Sequence, residues 1–272
     1  MLTRSFIAVV SILVAACSSS SAAPDTPDAG KKDDANEHSP ASDSGKDGSA
    51  SDAATTDPFA VLTVGTFAGD AGLSTYQAEH DMLAAGAEAT AQQLGDVSHA
   101  VLLGTAILGT TTDQFLALDR WTSGTNIDAF SANPTLQAGF AKLFSPAPTI
   151  TVYVAQPTWA SYGTPDSANA TDPHYWVVVR GTMSSTDLAK DQAAHDAIFA
   201  NLAPQAKAAG DVAHVVFTGR DDVTDYFSID VWPASTDLAM IYGNPALQSA
   251  FASLFVGTPT LGVYESTHWY QW

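Results

Sequence analysis

Two histidines and two aspartates recur at matched places along the chain, and their types suit acid–base chemistry. His80-Asp81 returns as His195-Asp196, and Asp119, two residues before Trp121, returns as Asp230, two residues before Trp232. An imidazole titrates close to neutral pH and can take or release a proton. A carboxylate bonded to it fixes its tautomer and raises its basicity. Pairing His80 with Asp119 and His195 with Asp230 therefore predicts two general-base dyads, each beside an indole. Trp121, Trp232 and Phe199 are the expected walls of an apolar ligand pocket.

Each group also has a purely structural reading. A buried histidine can bond backbone or a neighbouring carboxylate, and an aspartate can hold the loop after its strand while the tryptophan plugs the core beneath. Recurrence does not separate the two, since a packing residue recurs as readily as a reactive one. His99 and His214 each follow Gly-Asp-Val-x and are expected to begin a strand near the surface, at a helix C-terminus. A second ligand beside His80 or His195 is the alternative for them. Asp81 and Asp196 are expected to be solvated along their helix. No His-x-His occurs, and Cys17 is the sole cysteine. No metal site and no cofactor are expected. A nucleophile elbow, a dinucleotide fingerprint and a phosphate loop are all missing from the sequence.

The elements that must position these residues are repeated too. Asn133-Pro134-Thr135-Leu136-Gln137 returns as Asn244-Pro245-Ala246-Leu247-Gln248, and Gly95-Asp96-Val97-Ser98-His99 as Gly210-Asp211-Val212-Ala213-His214. The spacing predicts a first unit over 58–156, a linker over 157–173 and a second unit over 174–272. Units of this length match a duplicated domain rather than a solenoid repeat. Each opens on a β-branched run, 61–67 or 177–183, followed by a helix carrying the first histidine on its inward stripe. Ser74 with Gln77 forms an expected capping box, Asp187 an expected cap, and Gly95 and Gly210 the stops. Pro204 predicts a kink or restart near Ala203. Two strands follow, 99–106 with 115–121 and 214–219 with 226–232. A helix broken at Asn-Pro and a last strand, 149–155 or 260–266, complete each unit.

The order β-α-β-β-α-β is the ferredoxin-like pattern. One such sheet has helices on one face only, so its other apolar face needs a partner, and the twin unit supplies one. The predicted fold class is α+β: two tandem ferredoxin-like units packed sheet to sheet as an intrachain barrel, with no second chain required.

The unit order, the Asp-x-Trp at 119–121 and 230–232, and the Asn-Pro-x-Leu-Gln helix together resemble the dimeric α+β barrel superfamily. The closest likeness is to antibiotic-biosynthesis-monooxygenase-like domains, here in tandem over residues 58–272. That resemblance implies a reaction pocket between helices and sheet, and an activity such as cofactor-independent oxygenation or isomerisation. Heme-degrading members present a histidine where this chain has Phe130 and Ile241, so heme is not expected.

The N-terminus adds an address. Arg4, an apolar stretch over 6–16, and Val14-Ala15-Ala16-Cys17 resemble a bacterial lipoprotein signal, 1–17, with Cys17 lipidated. Residues 18–57 hold Ser, Ala, Asp, Gly and Pro with almost nothing apolar, and are expected to form a disordered tether. A lipid anchor in the bacterial envelope, on the outer membrane, follows from this reading. The formal net charge is −19, and nine acidic residues against three lysines lie in the tether. A surface so acidic repels nucleic acid and excludes it as a partner. Two functions fit the whole: a barrel binding a small apolar or aromatic molecule, or a non-catalytic interaction module of the envelope.

Overall fold

The computed structural model describes residues 58–165 and 174–272. The signal, Cys17, the tether and the end of the linker lie outside the described residues. The first half runs β1 (Phe59–Thr66), α1 (Leu73–Leu94), β2 (Asp96–Gly104), β3 (Gln114–Trp121), α2 (Gly124–Ser131), α3 (Pro134–Leu143) and β4 (Thr149–Ala155). The second runs β5 (His174–Thr182), α4 (Leu188–Ala208), β6 (Ala213–Gly219), β7 (Asp225–Pro233), α5 (Leu238–Tyr242), α6 (Pro245–Ala252) and β8 (Thr260–Ser266). This is a mixed α+β fold.

Its eight strands close into one antiparallel barrel in the order β1-β3-β2-β8-β5-β7-β6-β4. Two seams join the halves. Leu102–Gly104 of β2 pair with Tyr264–Ser266 of β8, and Tyr153–Ala155 of β4 pair with Phe217–Gly219 of β6. Closure leaves no bare sheet edge. It also places Leu62, Leu116 and Leu118 in one interior cluster with Trp176, Phe227 and Ile229. Alternation along β3 sends Phe115, Ala117 and Trp121 to the opposite face, under the helices.

Local chemistry explains most element ends. Gly95 adopts a left-handed backbone, φ 105°, that stops α1. Asn133 and Asn244 cap the helices that restart at Pro134 and Pro245, each accepting the N–H two residues on, at 2.9 Å. Asp187 caps α4 through the N–H groups of Ala189 and Lys190. Two expectations are corrected. The first helix starts at Leu73 with Gly72 before it, which leaves Ser74 inside the first turn and forms no capping box. The helix also runs unbroken through Pro204, which lies near its C-terminal end and costs it a single ladder bond.

Beyond β4 and β8 the chain keeps hugging the barrel. Thr267 N–H bonds Val101 O, and Trp272 exchanges backbone bonds with His99. At the mirrored place Gln156 N–H bonds Val216 O, and Tyr162 exchanges backbone bonds with His214. Each half therefore lays a strap across the other half's second strand.

Candidate functional site

The site forms where α1 crosses β2 and β3. In the hairpin register His99 stands directly opposite Asp119, and His214 opposite Asp230. Opposed residues share a face, here the face under the helix, so each pair meets side chain to side chain. His99 Nδ1 lies 2.5 Å from Asp119 Oδ1, and His214 Nδ1 lies 2.6 Å from Asp230 Oδ1. From the helix, His80 Nε2 comes within 3.3 Å of His99 Nε2, and His195 Nε2 within 3.3 Å of His214 Nε2. The outer nitrogen of each helix histidine meets the next residue: His80 Nδ1 to Asp81 at 3.1 Å, and His195 Nδ1 to Asp196 at 3.0 Å. Each half thus holds a chain of four groups, carboxylate–imidazole–imidazole–carboxylate.

Several sequence expectations are corrected here. Asp119 and Asp230 bond His99 and His214, not His80 and His195, because the strand partner is nearer than the helix above. His99 and His214 are buried, at 9% and 3% exposure, rather than at the surface. Asp81 and Asp196 are held rather than solvated, since Tyr270 N–H and Ala160 N–H each donate to them at 2.8 Å. Trp121 packs with Val61, Ala91 and Ile127, and Trp232 with Val177 and Leu238, so both indoles sit in packing layers. Phe199 stacks on the second histidine pair, at 4.4 Å from the ring of His214 and 5.6 Å from that of His195.

Three aromatic residues close the first site instead. Trp272 stacks on His99 at 4.6 Å, Trp269 lies 5.3 Å from His80, and Phe115 lies 5.6 Å from it. Trp159 holds the matching place against His195, at 5.2 Å. The straps therefore carry site residues from one half to the other. The histidines of the Gly-Asp-Val-x-His repeat were findable, because hairpin register alone sets them against the aspartates. The straps had no such signal.

A cavity of about 70 Å³ opens beside the first pair, lined by His80, His99, Asp96 and Asp119 on its polar side. Ala84, Ala87, Phe130, Leu136 and Phe140 supply apolar wall. Leu83, Ala87, Phe130 and Leu136 also line a neighbouring groove of about 520 Å³ between α1 and α3.

Burial sets the charges. It pulls His80 and His195 down to about 4, against the pull of Asp81 and Asp196, so both rings are neutral at pH 7. Burial also pushes Asp96 well above the usual carboxylate range, with the Asp119 charge adding to the effect. Asp211 moves the same way, by burial and then Asp230.

Proton counting then defines the chemistry. Three contacts link the four groups, and the helix histidine among them is neutral. The two Nε2 atoms face each other at 3.3 Å, within hydrogen-bond reach of a single shared proton. Among the described residues no cluster of three or more ligand-type side chains could hold a metal.

No protein-family model and no curated protein matches the sequence. Solved structures do resemble the fold. A candidate monooxygenase of Fusobacterium nucleatum aligns with TM-score 0.53 at 8% identity, over 77% of this chain and 92% of its own. An anthrone oxidase-like protein aligns with TM-score 0.51 at 16% identity, over 80% of this chain and 94% of its own. Such proteins are dimeric α+β barrels, and at these identities the likeness establishes the fold alone.

The neutral histidines make a pH prediction. An unfolded histidine takes up its proton near pH 6.5, whereas these two resist until about pH 4. The folded state therefore loses stability as pH falls from 6.5 to 4, by on the order of 3 kcal/mol per histidine. Urea unfolding across that window should show the gap between wild type and a His80→Gln/His195→Gln double variant narrowing as the pH drops. Parallel curves would contradict buried neutral rings.

Proposed function

We propose that this chain is a lipid-anchored protein of the bacterial envelope whose barrel binds a small apolar or aromatic molecule and takes a proton from it. The barrel is read as two ferredoxin-like units in tandem, 58–156 and 174–272, of the antibiotic-biosynthesis-monooxygenase-like kind. The observation that carries the chemical part is the His99–Asp119 contact on the wall of an apolar chamber. Asp119 fixes the His99 tautomer and leaves Nε2 free to accept.

A ligand entering along the groove between α1 and α3 meets apolar wall first and the imidazole pair last. Its activated C–H or O–H bond breaks toward Nε2, the bonding electrons stay on the ligand, and the proton lodges between His99 and His80. Asp119 and Asp81 then face the new positive charge from both ends, which stabilises it in a water-poor site. Return of the proton to a different ligand atom gives isomerisation. Reaction of the electron-rich anion with dioxygen gives oxygenation without a cofactor. Both start from the same proton transfer.

Native mass spectrometry of the protein purified from its own envelope should reveal a bound small molecule. His99→Gln and Asp119→Asn should keep that adduct and slow its conversion about 10²–10⁴-fold, the usual worth of a positioned base. Full activity in His99→Gln, or a barrel carrying no adduct, would overturn the reading.

The anchor rests on Cys17 within Val14-Ala15-Ala16-Cys17. Among the described residues no helix is long and apolar enough to cross a membrane. Two acyl chains on Cys17 would give stable attachment where one would not. Cys17→Ser should move the protein from the membrane fraction to the soluble fraction on cell fractionation. An unchanged membrane fraction would exclude the lipid anchor.

A further inference from the structure

Four imidazoles in this chain share one disposition. Each meets a carboxylate through Nδ1: His99 meets Asp119, His80 meets Asp81, His214 meets Asp230 and His195 meets Asp196. Each then turns Nε2 toward another imidazole. Histidines that ligate a metal are built this way, because the carboxylate behind the ring fixes it and raises the basicity of the ligating nitrogen. In the first pair the rings lie 12° from parallel with centroids 5.4 Å apart, while the Nε2 atoms stand 3.3 Å apart. The rings therefore meet edge to edge through their nitrogens, not face to face. The second pair repeats this, at 15°, 5.5 Å and 3.3 Å.

We propose that the first pair, His80 with His99, binds one tetrahedral divalent ion of the zinc kind, with the two Nε2 atoms as its protein ligands and water completing its shell. This goes beyond the ligand-binding reading and does not rest on it. The ion takes the place between the nitrogens that the earlier reading gives to a proton, so an occupied pair cannot serve as the base.

Distance selects the geometry. Zinc holds an imidazole nitrogen at about 2.0–2.1 Å, and two such ligands at a tetrahedral angle lie about 3.3–3.4 Å apart. A square-planar ion would draw neighbouring ligands in to about 2.8–3.0 Å, and a linear one would part them to about 4 Å. The observed 3.3 Å fits the tetrahedral ion. Imidazole ligands also favour zinc over magnesium or calcium, which take oxygen. Room comes from the cavity of about 70 Å³ beside the pair, with His80, His99, Asp96 and Asp119 on its wall. At ~30 Å³ for each water it takes about two, the number that a four-coordinate ion with two imidazoles still lacks. Charge agrees as well. A dication between the rings faces one carboxylate behind each, Asp81 and Asp119.

The two ligands come from α1 and β2, nineteen residues apart, so no short metal motif marks them in the sequence. Two side chains are fewer than a structural zinc takes, and the ion held here is accordingly an exchangeable one.

The test is nitrogen-15 NMR of the histidine-labelled protein, titrated with zinc chloride at neutral pH. Zinc should move the Nε2 resonances of His80 and His99 together, and magnesium should move neither. In equilibrium dialysis His80→Gln should carry one zinc fewer than wild type. Should that variant fail to fold, the wild-type spectrum decides alone. Zinc that moves only histidines elsewhere in the chain would overturn the site. So would a folded His80→Gln variant that keeps every ion.

Discussion

The arrangement depends on one cross-strand contact, His99 to Asp119, made twice because His214 meets Asp230 in the same register. A carboxylate under a helix is costly unless it accepts strong hydrogen bonds. The imidazole directly opposite provides one at 2.5 Å. Once that Nδ1–H is committed, the other nitrogen points at the helix, and only a residue able to receive it can sit there. His80 does, with its own outer nitrogen tied to Asp81. The pair is held from both ends by its carboxylates and enclosed by packing against the strap.

Closure of the barrel supplies the packing. His99 lies on β2, whose outer edge is completed by β8 and then by the strap from Thr267 to Trp272. Tyr270 in that strap orients Asp81, and Trp272 covers His99. The second site borrows Ala160 and Tyr162 from the segment after β4 in the same manner. Neither site is complete within its own half. This reciprocity ties the chemistry to the seams between halves, where only three residue pairs join each edge.

The sequence carried the periodic features well and the register-dependent ones poorly. Strand and helix positions followed from β-branched runs, glycine stops and the Asn-Pro caps, all of which act locally. The inward stripe of α1 placed His80 correctly beneath the helix. What misled was the partner choice. Placing His99 at the start of its strand, beside the helix end, put it near the surface, whereas β2 begins at Asp96, so His99 is already three residues into a buried strand. Trp121 shares the face of Asp119, which suggested a pocket wall. It lies farther along the strand, beneath α2, where Ile127 and Ala91 enclose it. The straps carry no repeat signal strong enough to read, since Trp159-Ala160-Ser161-Tyr162 and Trp269-Tyr270-Gln271-Trp272 share little beyond aromatic spacing.

The strongly acidic composition also takes on local meaning. Asp81, Asp96 and Asp119 all bear on the first pair, and burial keeps Asp96 protonated far into the neutral range. The central claim is that Asp119 fixes the His99 ring so that its Nε2 faces a neutral His80. Nitrogen-15 NMR of labelled histidines at neutral pH tests it most directly. The account predicts that His80 is uncharged and that His99 carries a proton on the Nδ1 facing Asp119. A proton resting on His99 Nε2 with a bare Nδ1, or a charged His80 at pH 7, would contradict it.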